Sequence, residues 1–223
     1  MRIAHFGHSC ILVELHGKKV LFDPGNFSHG FEGITGLDAI AVTHQHPDHI
    51  DPQRIEALID ANPGARLFCD PQTAALRGEA WEAVHAGAVI ELGDLRITGG
   101  GGRHAVIHPE IPVVDNTVFQ LGTAQDPSQL VHPGDSLWVP STPVGVLAIP
   151  AAAPWMRISE AVDYLRAVAP RTALPIHFGI LAPEARGIYF GRLSEMGPAA
   201  TEFTVIAPED AREFATSDQG PTG

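Results

Sequence analysis

Short apolar runs, separated by polar and glycine-bearing breaks, dominate the first half of the chain. The runs at 3–6, 10–15 and 19–22 have strand length, and His16-Gly17-Lys18 reads as the turn joining the last two. Asp23-Pro24-Gly25 ends that pairing, and 26–36, which bears glycine and phenylalanine without a period, reads as a loop and a candidate flap. Asp38 to Thr43 is another strand-length run. Ile55, Leu58 and Ile59 fall at helical spacing, so 52–61 is expected to be a helix that Asn62-Pro63-Gly64 stops. A strand at 66–69, a helix at 71–81 and a hairpin of 88–92 with 95–98 around Gly93-Asp94 follow. The four glycines at 99–102 are expected to form a mobile or closely packed connection.

The second half predicts strands at 113–114, 117–121, 130–131 and 144–149. The clearest helix is 159–168, with Ser159 as its cap, Val162, Leu165, Arg166 and Ala169 on the 3.6-residue period, and Pro170 beyond its end. A strand at 172–176, a helix at 183–196 and a strand at 202–206 complete the series, and 211–223 reads as a frayed tail. Runs of strands come before helices in each half, without strict βα alternation. That order predicts an α/β (α+β) fold of two sheets with helices outside, a four-layer αββα sandwich, in a single domain over 1–210.

Composition narrows the function. The chain has 223 residues, 44% of them hydrophobic, but no apolar run approaches the ~18–20 residues that cross a bilayer, so no membrane partner is expected. The net charge of −12, without a Lys/Arg cluster, would repel a phosphate backbone and argues against nucleic acid. The opening residues turn polar too early for a secretory signal, which leads us to expect the cytoplasm. Cys10 and Cys69 lie in separate apolar segments, where buried free thiols are expected rather than a disulfide. A homo-oligomer is compatible with all of this.

The chemistry concentrates after the run at 38–43. His44-Gln45-His46-Pro47-Asp48-His49 puts three imidazoles and a carboxylate into six residues. Imidazole is the commonest protein ligand for zinc and its neighbours, and a strand that delivers ligands into the loop at its end is a rigid support for a metal. Three further candidates stand at strand ends: His104 after the glycine run, Asp135 in Pro133-Gly134-Asp135-Ser136, and His177 in Ile176-His177-Phe178. Each alone has an ordinary explanation as a loop, turn or core residue.

Together, His44-x-His46-x-Asp48-His49, His104, Gly134-Asp135-Ser136 and His177 resemble the metallo-β-lactamase-fold superfamily of metal-dependent hydrolases. The likeness runs from Phe6-Gly7-His8-Ser9 and Phe22-Asp23-Pro24 to the final strand. It implies two divalent ions, zinc first and manganese or iron as alternatives. His44, His46 and His104 would hold one ion, Asp48, His49 and His177 the other, and Asp135 would bridge them. Asp23 would hold a ligand imidazole from behind. A hydroxide bridging the ions would attack a small-molecule substrate, with Asp48 as the catalytic carboxylate that orients it and carries a proton.

The resemblance also separates branches. Asp135 differs from the cysteine or serine usual there in true β-lactamases, and His46 from the glutamate of the diiron flavoproteins. His5-Phe6-Gly7-His8-Ser9 and His132-Pro133-Gly134-Asp135 are most similar to the ascorbate-6-phosphate lactonase-like branch, which implies a lactone, ester or phosphoester substrate. Asn26, Phe27 and His29 on the candidate flap, Trp155 and Arg157 before the capped helix, and Phe178 after a ligand are the expected pocket wall; His8 and His108 lie beside ligands without an assigned role. The competing classes are a mononuclear iron dioxygenase acting on a persulfide and a noncatalytic metal-containing module that binds a ligand.

Overall fold

A computed structural model describes residues 1–216. The first sheet contains β1 (Arg2–His5), β2 (Ile11–Leu15), β3 (Lys18–Phe22), β4 (Ala39–Val42), β5 (Arg66–Cys69), β6 (Trp81–Ala83) and β14 (Ala211–Glu213), in the order β14-β1-β2-β3-β4-β5-β6. The second contains β7 (Val89–Leu92), β8 (Leu95–Gly101), β9 (Thr117–Gly122), β10 (Leu130–His132), β11 (Val146–Pro150), β12 (Thr172–Ile176) and β13 (Glu202–Phe203), in the order β13-β12-β11-β10-β9-β8-β7. The helices are α1 (Ile55–Asp60), α2 (Pro71–Arg77), α3 (Ile158–Val168) and α4 (Pro183–Met196).

Strand alternation builds the layers. Val13, Val20, Phe22, Ala39 and Ala41 of the first sheet pack against Leu95, Ile97, Phe119, Leu130, Ala148 and Leu174 of the second. Their neighbours Leu12, Leu21, Ile40 and Val42 point the other way, onto Ile55 and Leu58 of α1. On the far face of the second sheet, Leu147, Ile149 and Ala173 meet Val162 and Leu165 of α3 and Leu193 of α4. This is the expected αββα sandwich, and each fully buried Leu or Val contributes about 1.5–3 kcal/mol to it. Among the described residues no helix is long and apolar enough to cross a membrane.

Strand direction puts the chemistry at one edge. β10, β11 and β12 run parallel, and two antiparallel pairings, β8 with β9 and β9 with β10, give β8 the same sense. In the first sheet β1, β3 and β4 likewise share one direction. The loops after β1, β3, β4, β8, β10 and β12 therefore emerge at shared sheet edges, and the bonds from Thr117 N to Thr43 O (2.9 Å) and from His177 N to His8 O (2.8 Å) tie the two edges together.

Several expected elements differ. Helix α2 stops at Arg77 because Gly78 adopts φ +92°, and Trp81 belongs instead to a strand paired with Leu67. Gly99 to Gly101 extend β8 rather than connect elements: a Cβ on Gly100 would lie 2.8 Å from the Trp138 ring, and one on Gly99 2.3 Å from His85 O. Residues 113–114 form no strand. The N-cap of α3 is Arg157, whose N–H donates to the Glu160 carboxylate at 2.7 Å, not Ser159. The predicted tail is ordered at its start: Ala211–Glu213 pairs antiparallel with β1, and Phe214 packs on the central core. Its remainder, 217–223, lies outside the described residues. The 26–36 segment is anchored, since Phe31 is fully buried and Ser28 donates its hydroxyl to Gly7 O.

Candidate metal centre

The residues after β4 turn inward at once. Thr43 N donates to Asp23 Oδ1 at 2.7 Å and Thr43 Oγ1 to Asp23 Oδ2 at 2.8 Å, which binds the loop after β3 to the start of the hexapeptide. The loop closes by His49 N and Ile50 N both donating to His46 O. Gly25 leaves room for it: a Cβ there would fall 1.8 Å from Asp48 O. Asp23 (φ +43°), His8 (+47°) and His177 (+56°) all hold the left-handed conformation that costs a non-glycine residue about 1–3 kcal/mol and persists where surroundings enforce it.

The structure brings the seven candidate ligands together. The ligand atoms of His44, His46 and His104 lie within 4.8 Å of one another, as do those of His8, Asp48, His49 and His177, and those of His44, His49 and Asp135. Asp135 stands between the groups. Its Oδ1 is 3.1 Å from His49 Nε2 and 3.2 Å from His177 Nε2, while its Oδ2 is 3.2 Å from His104 Nε2.

The nitrogens behind the cluster set which atoms face it. His104 Nδ1 donates to Ala105 O at 2.5 Å and His177 Nδ1 to Ala152 O at 2.7 Å. His49 Nδ1 lies 2.6 Å from Asp23 Oδ2. Thr43 Oγ1, its own proton directed at Asp23, accepts from His44 Nδ1 at 3.1 Å. In the neutral imidazole each donation strips the proton from Nε2 and leaves a lone pair pointing inward. His49 Nε2, His104 Nε2, His177 Nε2 and Asp135 Oδ1 are accordingly buried with no hydrogen-bond partner. With these rings neutral, four buried acceptors converge without a donor, the arrangement that a cation satisfies, and the nitrogen-rich set fits zinc and its neighbours.

The charge pattern agrees. Burial would raise the Asp135 carboxyl, but His177 and His49 hold it well below the usual carboxylate range. Burial would lower His177, yet Asp135 beside it lifts it to about 9, and Asp135 and Asp23 lift His49 well above the ordinary histidine value against the same penalty. Burial holds His44 and His46 below the ordinary histidine value. Without an ion, protons on His49 and His177 neutralise the carboxylates; a cation would take their place.

The expected pocket residues divide. Phe27 is 47% exposed and stands edge-on to His8, the ring centroids 5.2 Å apart, beside the cluster. Asn26 is exposed and lines, with His29, Asp51 and Arg54, an open groove of about 420 Å³. Trp155, half-buried, does more than line a wall: its Nε1 donates to Asp135 Oδ2 at 2.7 Å. Phe178 does not line a wall. It is buried behind His177, stacked on His5 at 5.2 Å and edge-on to Phe190, because the chain turns back into the second sheet's outer core there. His108 is exposed and Arg157 serves α3 through its backbone.

Sequence reasoning missed Asn116 and Thr43. Asn116 accepts from Asp135 N (3.0 Å) and donates to Pro133 O (2.9 Å), fixing the Asp135 loop, and Thr43 links Asp23 to His44. Neither carries an ionisable group, so neither drew attention.

Comparison with known proteins places this geometry. The family described as "Beta-lactamase superfamily domain" matches residues 2–177. The Mycobacterium tuberculosis protein Rv0786c is 59% identical over 96% of this chain and 100% of its own length. A "UPF0173 metal-dependent hydrolase" of Aeropyrum pernix is 26% identical over 96% of this chain and 97% of its own. In three dimensions, the metallo hydrolase Igni18 of Ignicoccus hospitalis superposes with a TM-score of 0.71 at 19% identity, covering 96% of this chain and 99% of that one. With the family match over residues 2–177 and the same fold, this chain belongs to the β-lactamase superfamily, as a metal-dependent hydrolase of the metallo-β-lactamase fold.

Proposed function

We propose that the chain is a dinuclear hydrolase that cleaves a lactone, ester or phosphoester bond in a small molecule. The observation that carries this reading is the split of Asp135: one oxygen faces His49 and His177, the other His104, so one carboxylate serves two groups of inward nitrogens. His44, His46 and His104 would hold one divalent ion and Asp48, His49 and His177 the other, with Asp135 common to both. Zinc suits the imidazole-rich set best, and manganese and iron are alternatives. Such a pair of ions lowers the pKa of water towards neutrality and polarises the oxygen under attack.

The chain's own groups do the rest. Asp48 is the most open of the ligand carboxylates, its side chain 23% exposed against 5% for Asp135. Burial would raise its pKa, but the His177 ring beside it and the His8 ring bonded to it keep it far below the usual carboxylate range. It is thus ionised, and its second oxygen, Oδ1, can take a proton from the attacking water and return it to the leaving oxygen. Trp155 keeps Asp135 from turning, and Phe27 and Trp155 supply apolar walls that exclude water from the substrate. The net charge of −12 disfavours a polymer of phosphates as substrate.

The test is metal content by mass spectrometry after purification without chelator, followed by hydrolysis assays with lactones, carboxylic esters and phosphodiesters on zinc-, manganese- and iron-loaded protein. Two ions per chain and turnover of one class support the reading. Less than one ion per chain, or oxygen uptake with a persulfide by an iron-only form in place of hydrolysis, overturns it.

A further inference from the structure

His8 has no part in the ligand assignment, yet it is built into the centre. Its side chain is fully buried. Its ring lies 4.1 Å from that of His177 and 5.7 Å from that of His49. Its carbonyl accepts from His177 N, and it holds φ +47°. A Cβ on Gly179 would sit 2.9 Å from His8 Nδ1, so the loop after β12 needs glycine there to admit the ring.

Two bonds fix the ring's state. Gly179 N donates to His8 Nδ1 at 3.1 Å, and His8 Nε2 lies 3.1 Å from Asp48 Oδ2. A backbone N–H can only donate, so Nδ1 must offer its lone pair. The proton of the neutral ring is then on Nε2, and that bond runs from His8 to the carboxylate. A protonated nitrogen cannot coordinate an ion. His8 therefore belongs spatially to the group with Asp48, His49 and His177 but cannot ligate with them. The same Asp48 Oδ2 lies 3.6 Å from His177 Nε2 and 3.8 Å from His49 Nε2. One of its lone pairs is taken by His8, which leaves the other for the space between those two nitrogens.

We infer that His8 is a positioning residue: as the Nε2–H tautomer it donates to Asp48 Oδ2 and aims this carboxylate at the ion held with His49 and His177, without itself binding metal. The part about the ion rests on the dinuclear reading; the tautomer does not.

Two variants separate the roles. His8→Asn keeps an acceptor for Gly179 N–H, tolerates the left-handed backbone and loses the donor to Asp48. His8→Gln puts an amide N–H near the place of Nε2. Titration of metal-free protein with Zn²⁺ against a chromogenic chelator should show the second ion bound about 10–100-fold more weakly in His8→Asn, with the first within about threefold and His8→Gln recovering most of the loss. Histidine ¹⁵N–¹H multiple-bond NMR of the metal-free wild type at pH 7.5 should show His8 protonated on Nε2 alone. An Nδ1–H tautomer, or unchanged second-ion affinity in His8→Asn, overturns the inference. If the wild type binds a single ion, the dinuclear reading fails, and the spectrum alone then decides whether His8 donates to Asp48.

Discussion

Replacing Asp23 by asparagine probes the wiring behind the ligands. Asp23 is fully buried and its Oδ2 receives His49 Nδ1 at 2.6 Å, which keeps His49 Nε2 free to coordinate. In Asp23→Asn, the amide oxygen still accepts from Thr43 N, and the left-handed backbone at position 23 suits asparagine, so the fold survives. The amide NH₂, however, now faces His49 Nδ1 and forces the proton onto Nε2, where it blocks the ion. Losing such a supporting partner costs about 10–100-fold in affinity, or about 1.4–2.8 kcal/mol. Metal-free protein also loses a charge-assisted bond worth about 1.5–3 kcal/mol, which for a chain of this size lowers Tm by about 3–12 °C. Chelator-competition titration with Zn²⁺ and differential scanning calorimetry read the two effects separately. Retention of second-ion affinity within about threefold, with only Tm lowered, would refute the claim that Asp23 sets the His49 tautomer.

Further outcomes follow from the same geometry. Zn²⁺ uptake at pH 7.5 should release about two protons, because Asp135 holds His177 up at about 9 and, with Asp23, holds His49 well above the ordinary histidine value; both carry protons at pH 7.5 and must lose them to bind, so the release from His177 falls as pH rises past 9. Calorimetry in buffers of different ionisation enthalpy checks this, and release of less than one proton contradicts it. Trp155→Phe keeps the half-buried ring but removes the donor to Asp135 Oδ2, so Zn²⁺ affinity should fall about tenfold with Tm almost unchanged; equal affinity would make Trp155 a wall only. Gly25→Ala drives a Cβ into Asp48 O and should destabilise the protein by about 1–3 kcal/mol in urea titration, whereas Gly33→Ala, which meets nothing within 4 Å, should not.

What could be read from the chain alone has a physical pattern. The hexapeptide was legible because its imidazoles are adjacent, and the layers were legible because Leu12/Val13 and Ile40/Ala41 alternate between two cores. The acceptors that set the tautomers of His104 and His177 were not, since Ala105 O and Ala152 O are main-chain atoms that no residue type announces. β14 escaped notice because Ala211, Arg212 and Glu213 are all exposed on an edge strand and show no alternation. The glycines of β8 read as a connection because the sequence does not reveal the Trp138 ring that fills the space a side chain would take. Phe178 was misplaced for a related reason: proximity in sequence to His177 says nothing about which way the next side chain points.

On the dinuclear reading, Asp135 joins two ion sites. Crystals grown with Zn²⁺ and measured on both sides of the zinc absorption edge test it directly. Two anomalous peaks should appear about 3.5–4 Å apart, one among His44, His46 and His104 and one among Asp48, His49 and His177, with an oxygen of Asp135 on each. A single peak, or a second one not touched by Asp135, would contradict it.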